Sequence, residues 1–159
     1  MQIFQTSRPW NGERLKTLVI ACSDGRLQEE VDEFLQSHLT IDHYDRLYVP
    51  GGAGALATSA AESVRSDRFR SECQFLITAH GVERIILMFH GPAVDGPPEA
   101  LCGDYKRRLP ASSPSAIREQ QERDAEQIWR DGLGDGIRLE IYRCEVTRDG
   151  FVGFVWMYD

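Results

Sequence analysis

Continuous short runs of apolar residues, separated by glycine-rich and polar stretches, predict the strands of the chain. Such runs occupy residues 15–22, 46–50 and 82–90, and the last of them contains the sequence Ile-Ile-Leu-Met-Phe. Strands that are buried on both faces of a sheet show this near-continuous hydrophobicity, because neither of their faces meets solvent. The pattern therefore predicts three strands in the interior of a sheet.

The segments between and after these runs show the spacing of helices. Apolar residues recur three or four positions apart, as in an amphipathic helix, over residues 27–35 and 68–80. Residues 55–64 are rich in alanine and residues 115–129 are mostly polar, and both segments are also predicted to be helical. Gly81 directly follows residues 68–80, at a position where glycine commonly ends a helix.

The end of the chain predicts an antiparallel hairpin. Residues 138–146 and 151–158 have the composition of strands, and the Asp-Gly pair at 149–150 between them is a strong turn signal. With the upstream alternation of strands and helices, the pattern predicts an α/β fold. We expect a mainly parallel central sheet flanked by helices, with an antiparallel edge hairpin at the C-terminus. The length suits one domain, predicted over residues 1–159.

Composition and charge exclude several function classes. Of the 159 residues, 42% are hydrophobic and 27% are charged, which is ordinary for a globular protein and argues against disorder. The formal net charge is −7 and no basic stripe is present, so no nucleic-acid partner is expected; we interpret the basic residues 106–108 as solvated surface. The apolar runs are too short to span a membrane and the N-terminus lacks a signal-peptide pattern, so we expect a cytoplasmic protein.

The four cysteines are widely spaced, at positions 22, 73, 102 and 144. The absence of a Cys-x-x-Cys pair argues against zinc-ribbon and thioredoxin-like sites. Cys73 lies on the apolar face of a predicted helix and Cys144 lies in a predicted strand, so we expect both to be small core residues.

Candidate chemistry follows the predicted strands, because ligands bind at the carboxyl ends of parallel strands. Cys22 ends the first strand, and Asp24 and Arg26 follow it, so that the guanidinium can pair with the carboxylate and a nearby cation can favour the thiolate. His90 ends another strand and can lie near Cys22; thiolate and imidazole together suit zinc. The Gly-Gly-Ala-Gly turn at 51–54 exposes backbone amides that can hold an anion. Each feature also has a purely structural explanation, as a strand end or a tight turn.

In this order, the motifs resemble those of the β-class carbonic anhydrases over residues 15–159. That family has the motifs Cys-x-Asp-Ser-Arg, Arg-Asn-Ala-Gly and Gly-Val-x-x-Ile-Ile-Val-x-Gly-His-x-x-Cys, in this order. In this chain the first motif corresponds to residues 22–26, the second ends in the Gly-Ala-Gly of residues 52–54, and the third runs from Gly81 to His90. The resemblance implies that Cys22 and His90 ligate zinc and that Asp24 and Arg26 form the catalytic dyad. In the family's closed, resting form, the aspartate itself ligates zinc.

The resemblance has further implications for the site and the assembly. It implies that Gly52, Ala53 and Gly54 form the anion-binding turn beside the active site. It implies reversible hydration of carbon dioxide to bicarbonate, the reaction of a carbonate dehydratase, which is a lyase. Because that family builds its active sites at a dimer interface, it also implies a homodimer or a larger homo-oligomer.

The chain departs from the family where the second zinc cysteine is expected, three residues after the histidine, because Ala93 occupies that position. Asp24, Asp95 and Cys102 are the candidates to replace the missing ligand, and Asp24 is favoured because it ligates zinc in the family's resting form. Two alternatives to a zinc-dependent carbonic anhydrase remain open. One is a different small-molecule enzyme or anion-binding protein with the same pocket, and the other is a non-catalytic member of the fold.

Overall fold

A five-stranded sheet forms the centre of the computed structural model, which describes residues 1, 3–59 and 63–159. The strands are β1 (Thr17–Cys22), β2 (Asp45–Val49), β3 (Arg84–Pro92), β4 (Arg138–Val146) and β5 (Val152–Tyr158). Their order across the sheet is β2-β1-β3-β4-β5, and all neighbours are parallel except β4 and β5. The predicted α/β class, mainly parallel sheet and antiparallel C-terminal hairpin are confirmed.

Within the described residues, four α-helices cover the two faces of this sheet. They are α1 (Gln28–Glu33), which continues as a π-helical turn (Phe34–His38), α2 (Ser63–His80), α3 (Gly103–Arg108) and α4 (Pro114–Asp131). Helices α2, α3 and α4 pack on one face, and α1 with its following turn packs on the other. No helix in the described part of the chain combines the length and the apolar character that a membrane crossing requires.

The strand interiors explain why the apolar runs were continuous. In β3, Ile85 and Leu87 face the cluster beneath α2 and α4, whereas Ile86 and Met88 face the cluster beneath α1. Alternate residues of a strand point to opposite faces, so a strand covered on both sides needs apolar residues at every position. Cys73 and Cys144 are buried in these two clusters, as predicted.

The carboxyl end of β3 differs from the prediction and matters for the site. The strand continues to Pro92, two residues beyond the end predicted at His90. Strand β1 pairs with β3 only as far as Leu87, so residues 88–92 have a sheet neighbour on the β4 side alone. His90 therefore lies on a strand end that extends beyond one of its two neighbours.

The alanine-rich segment does not form the helix predicted over residues 55–64. Gly52–Leu56 is a 3₁₀ turn, Ala57 is extended, and α2 begins at Ser63; the predicted positions 60–62 lie outside the described residues. All residues of the 3₁₀ turn are buried. The small side chains here allow the backbone to pack closely against the sheet, and this tertiary packing outweighs helix propensity.

The interpretation of residues 106–108 as solvated surface holds for Lys106 and Arg107, which are exposed on helix α3, but not for Arg108. Only 9% of the Arg108 side chain is exposed, and its guanidinium lies 4.0 Å from the ring centre of Tyr105. The same guanidinium approaches the buried carboxylates of Asp104 and Asp124, at 3.3 and 4.0 Å. Buried carboxylates require nearby cations or hydrogen bonds, and this requirement draws Arg108 inward.

Candidate metal centre

Three potential metal ligands from separate parts of the chain meet at the carboxyl edge of the sheet. The sulfurs of Cys22 and Cys102 and a ring nitrogen of His90 all lie within 4.8 Å of one another. Cys22 ends β1, His90 lies near the end of β3, and Cys102 directly precedes α3. Zinc bonds of about 2.3 Å to sulfur and about 2.0–2.1 Å to nitrogen separate tetrahedral donors by about 3.5–3.8 Å. The three donors therefore fit zinc after a small contraction.

The His90 side chain is buried and its ring nitrogens are available to bind a metal ion. It is 3% exposed, and neither of its ring nitrogens has a hydrogen-bond partner among the described residues. An unpaired polar atom in a buried position costs about 1–3 kcal/mol. A cation coordinated by one ring nitrogen would remove part of that cost, and the two neighbouring sulfurs make a thiophilic cation such as Zn²⁺ the most suitable one.

The hydrogen bond between the two cysteines shifts their pKa values in opposite directions. The pKa of Cys22 is held well below its usual value, chiefly because the Cys102 thiol hydrogen-bonds to it and also because the His90 imidazole and the Gly51 backbone lie against its sulfur. The pKa of Cys102 is raised, because its proton is engaged by Cys22 and because it is buried. Cys22 is therefore the thiolate of the pair, and thiolate is the form that binds metal.

The turn after β3 explains how Cys102 reaches the other two ligands. Ala93, which occupies the position of the family's second cysteine, donates its amide to the β4 backbone, and Gly96 donates to the Ala93 carbonyl. A side chain at Gly96 would collide with the β4 backbone, since a Cβ atom would lie 2.1 Å from a carbonyl oxygen. The chain thereby reverses towards the sheet. Of the predicted replacement ligands, Cys102 belongs to the group of three donors, whereas Asp24 and Asp95 do not.

Asp24 lies beside this group and is engaged by Arg26. The guanidinium donates to both carboxylate oxygens, with Nε 2.9 Å from Oδ1 and Nη2 2.6 Å from Oδ2. This contact lowers the pKa of Asp24 to about 2, so the carboxylate is charged at neutral pH. Arg26 also donates from Nη1 to the Glu99 carbonyl at 3.1 Å, which ties the pair to the segment before Cys102.

Among the described residues, three cavities that adjoin the candidate ligands are each lined by Asp24. The smallest has a volume of about 80 Å³ and is lined by Cys22 and His90 together with apolar side chains such as Val31 and Met88. It has room for a few water molecules or one molecule of similar size. A wider and more open cavity of about 680 Å³ lies on the other side of Cys22, towards Arg65 and the start of α3.

The glycine-rich turn packs tightly against the same strand ends. Gly52 has a φ of 53°, and a Cβ atom there would lie 2.7 Å from the backbone nitrogen of Cys22. At Gly54 a Cβ atom would lie 2.4 Å from the Tyr105 hydroxyl. Close packing alone therefore requires these glycines. The predicted anion-binding role of Gly52, Ala53 and Gly54 stays a prediction.

Three of the solved structures that are similar to the chain are described as carbonic anhydrases, two of them as β-carbonic anhydrases. β-Carbonic anhydrase isoform I of Trichomonas vaginalis is 14% identical, with 95% of this chain and 88% of that chain covered and a TM-score of 0.45. β-Carbonic anhydrase CafA of Aspergillus fumigatus is 13% identical, with 93% and 78% covered and a TM-score of 0.48. Carbonic anhydrase from Glaciozyma antarctica is 15% identical, with 92% and 83% covered and a TM-score of 0.48. No curated protein matches the chain.

A family model matches the N-terminal part of the chain, including most of the candidate site. Residues 12–97 match the family described as "Putative carbonic anhydrase". The matched stretch contains Cys22, Asp24, Arg26 and His90, and it ends before Cys102. Because it spans more than half of the 159 residues, the chain belongs to the carbonic anhydrase family that this model defines.

Proposed function

We propose that this protein is a zinc-dependent carbonic anhydrase that catalyses the reversible hydration of carbon dioxide to bicarbonate. The observation that carries the proposal is the buried His90 imidazole, which has no hydrogen-bond partner among the described residues and lies within 4.8 Å of the Cys22 and Cys102 sulfurs. Catalytic zinc sites use three protein ligands and keep a fourth position open. In this proposal Cys102 takes the place of the cysteine that the family has at position 93.

The side chains around the ligands suit this chemistry. Zinc, when bound, acts as a Lewis acid and lowers the pKa of a water molecule at its open position to about 7. Cys22 enters the site as a thiolate, and Cys102 gives up its proton when it ligates, so the two thiolates balance the charge of a divalent cation. Asp24, held in its charged form by Arg26, accepts a hydrogen bond from the attacking water and orients it.

The substrate side of the site favours a small, apolar molecule. The 80 Å³ cavity beside Cys22 and His90 is lined largely by apolar side chains, which suits carbon dioxide and excludes bulky substrates. The amides of Gly52, Ala53 and Gly54 are proposed to border the anionic product. Bicarbonate would leave through the wider and more open cavity, which Arg65 and Arg107 line together with Asp24 and Asp104.

We also propose that the protein forms a homodimer in the cytoplasm. Large apolar side chains are exposed on the N-terminal segment and on and beside β5; they include Phe4, Trp10, Phe151 and Trp156. Exposed apolar surface of this kind marks association sites. All four cysteines are free thiols, as is usual in a reducing compartment. Sedimentation equilibrium would report the mass of the assembly, and a monomeric mass at micromolar concentration would refute the dimer.

The direct test of the proposed reaction is stopped-flow carbon dioxide hydration, followed with a pH indicator. Zinc-loaded wild-type protein should accelerate hydration above the buffer rate. Asp24→Asn should retain its zinc but lose about 10²–10⁴-fold in rate, because the amide cannot act as the charged acceptor. Asp131→Asn, a change in an exposed carboxylate on α4, serves as the control with wild-type activity. A zinc-loaded wild-type protein that does not exceed the buffer rate would refute the reaction.

One observation favours a second candidate function, in which Cys22 is a nucleophile or an anion contact and zinc is not used. Its lowered pKa, partial exposure and position on the wide cavity near Arg65 are typical of reactive thiols. In that case Cys22 of the metal-free protein should react with iodoacetamide at pH 6 much faster than the buried Cys73, and added zinc should not protect it. Protection of Cys22 by zinc would favour the carbonic anhydrase.

A further inference from the structure

Two buried side chains bind the backbone at the end of β3 that carries His90. The Gln121 side-chain amide donates from Nε2 to the His90 carbonyl at 2.9 Å. Arg143 donates from Nη2 to the Pro92 carbonyl at 3.2 Å, and its Nε donates to Gln121 Oε1 at 2.9 Å. Gln121 is 1% exposed and Arg143 is 2% exposed, so these hydrogen bonds are shielded from water. Gln121 and Arg143 thus form one connected clamp on the strand end.

The strand end needs such a clamp because the sheet supports it on one side only. Beyond Leu87, β3 has no pairing with β1, and its remaining sheet neighbour is β4. The carbonyls of His90 and Pro92 accept from side chains at this place. Buried carbonyls without a hydrogen-bond partner are costly in free energy. At this end of β3, Gln121 and Arg143 therefore supply the hydrogen-bond donors that a neighbouring strand supplies elsewhere in the sheet.

The His90 imidazole depends on this backbone support more than most ligands do. A metal-binding histidine usually donates its second ring nitrogen to a carboxylate or carbonyl, which fixes the orientation of the ring. Neither ring nitrogen of His90 has such a partner among the described residues. The orientation of the ring is therefore determined by packing and by the position of the His90 backbone, which Gln121 holds.

Arg143 is itself held in place from several directions. Its Nη1 donates to Glu145 Oε1 at 2.5 Å, and Arg118 of α4 also donates to this carboxylate. A Cβ atom at Gly91 would lie 2.6 Å from Arg143 Nη2, so the guanidinium packs against the strand where a larger side chain would meet it. A buried guanidinium is stable only when it is paired in this way. The clamp therefore has one defined arrangement.

We propose that Gln121, oriented by Arg143, is a positioning residue that sets where the His90 imidazole meets the two cysteine sulfurs. The proposal rests on the metal centre proposed above for the identity of the ligand. Without the Gln121 donor, the His90 carbonyl loses its partner and the strand end shifts towards a new one. Loss of contacts that orient a metal ligand typically weakens metal binding about 10–100-fold.

The test uses Gln121→Glu, which keeps an acceptor for Arg143, replaces the donor to the His90 carbonyl by an oxygen atom and adds a negative charge. Gln121→Met, which removes both, is the second variant in case a buried carboxylate prevents folding. Glu140→Gln is the matched control, because Glu140 is equally buried and pairs with Arg84 across the same two strands at their opposite end. Thermal unfolding by circular dichroism reports the general loss of stability in all variants.

Zinc affinity by competition and the d–d absorption of the Co²⁺-substituted protein are the specific readouts. Both Gln121 variants should bind zinc about 10–100-fold more weakly and show an altered Co²⁺ spectrum. Glu140→Gln should lower the unfolding temperature and leave both metal readouts at wild-type values. Unchanged zinc affinity and spectrum in the Gln121 variants, or equal losses in Glu140→Gln, would overturn the proposal.

A metal-free readout separates this proposal from the proposed function. If the wild type binds no zinc, the carbonic anhydrase function fails, and the ring resonances of His90 in the metal-free protein then decide the role of Gln121. The Gln121 variants should shift these NMR signals, whereas Glu140→Gln should not. Ring signals that stay at their wild-type positions in the Gln121 variants would refute positioning by Gln121 whether or not metal binds.

Discussion

At the scale of single residues, the site is governed by how closely groups approach one another. Cys22 and Cys102 are near enough for one thiol to hydrogen-bond the other, and this contact fixes which of them is the thiolate. Asp24 and Arg26 are paired just as closely, which keeps the carboxylate charged and out of the donor group. These contacts are the basis on which we propose sulfur and imidazole as metal ligands and the Asp24 carboxylate as the group that orients the water.

Gly52 shows how little room the strand ends leave. Gly52→Ala places a Cβ atom 2.7 Å from the backbone nitrogen of Cys22 and requires a φ of 53°, which alanine rarely adopts. We expect it to lower the free energy of unfolding by about 1–3 kcal/mol or more, as measured by urea denaturation.

The control for this substitution is Gly25→Ala, because a Cβ atom at Gly25 has nothing within 4 Å. It should change the free energy of unfolding by less than about 0.5 kcal/mol. Equal stability of the two variants would show that the turn at Gly52 tolerates a side chain, and would contradict the prediction that close packing excludes one.

At the scale of elements, helix α3 is the part of the fold that places Cys102. This helix is tied to its surroundings through Asp104, whose buried carboxylate contacts Arg65 of α2 at 2.9 Å and Arg107 and Arg108 of α3 at 2.8 and 3.3 Å. Cys102 is the residue that immediately precedes the helix. A change that loosens α3 should therefore also affect the metal centre.

Asp104→Asn should be strongly destabilising for this reason. It leaves guanidinium groups near a neutral amide in a buried position, and breaking a buried ion pair costs about 3–5 kcal/mol. Urea denaturation of the metal-free protein measures the change. Asp131→Asn, which removes an exposed partner of Arg70 at 3.5 Å, should cost less than about 1 kcal/mol. Similar costs for the two variants would contradict a structural role for Asp104.

Helices α2 and α4 and the central strands could be predicted from sequence, whereas the connections between them could not. Apolar periodicity reports burial on one or two faces, and it identified these elements with small errors at their ends. It cannot show that residues 52–56 pack as a buried turn, or that Arg108 points inward to meet Asp104 and Asp124. Both features depend on partners distant in sequence.

At the scale of the whole molecule, the part of the site that follows from the fold class could be predicted, whereas the part that depends on the path of a connecting segment could not. Cys22 and His90 end strands, and parallel strands bring their carboxyl ends together, so their proximity followed from the fold class. Cys102 could be named only as one of three replacements for the cysteine missing at position 93. Its position depends on the path of residues 93–101 and on α3, which no local pattern determined. The single-domain extent over residues 1–159 stays a prediction.

Zinc content per chain, measured by mass spectrometry of the elements in protein purified without chelators or added metal, tests the central claim most directly. Wild-type protein and Cys73→Ala, in which a buried cysteine of α2 is removed, should contain about one zinc ion per chain. Cys102→Ala should contain almost none, although it remains folded. Folded wild-type protein without zinc, or Cys102→Ala with as much zinc as wild type, would contradict a metal centre formed by Cys22, His90 and Cys102.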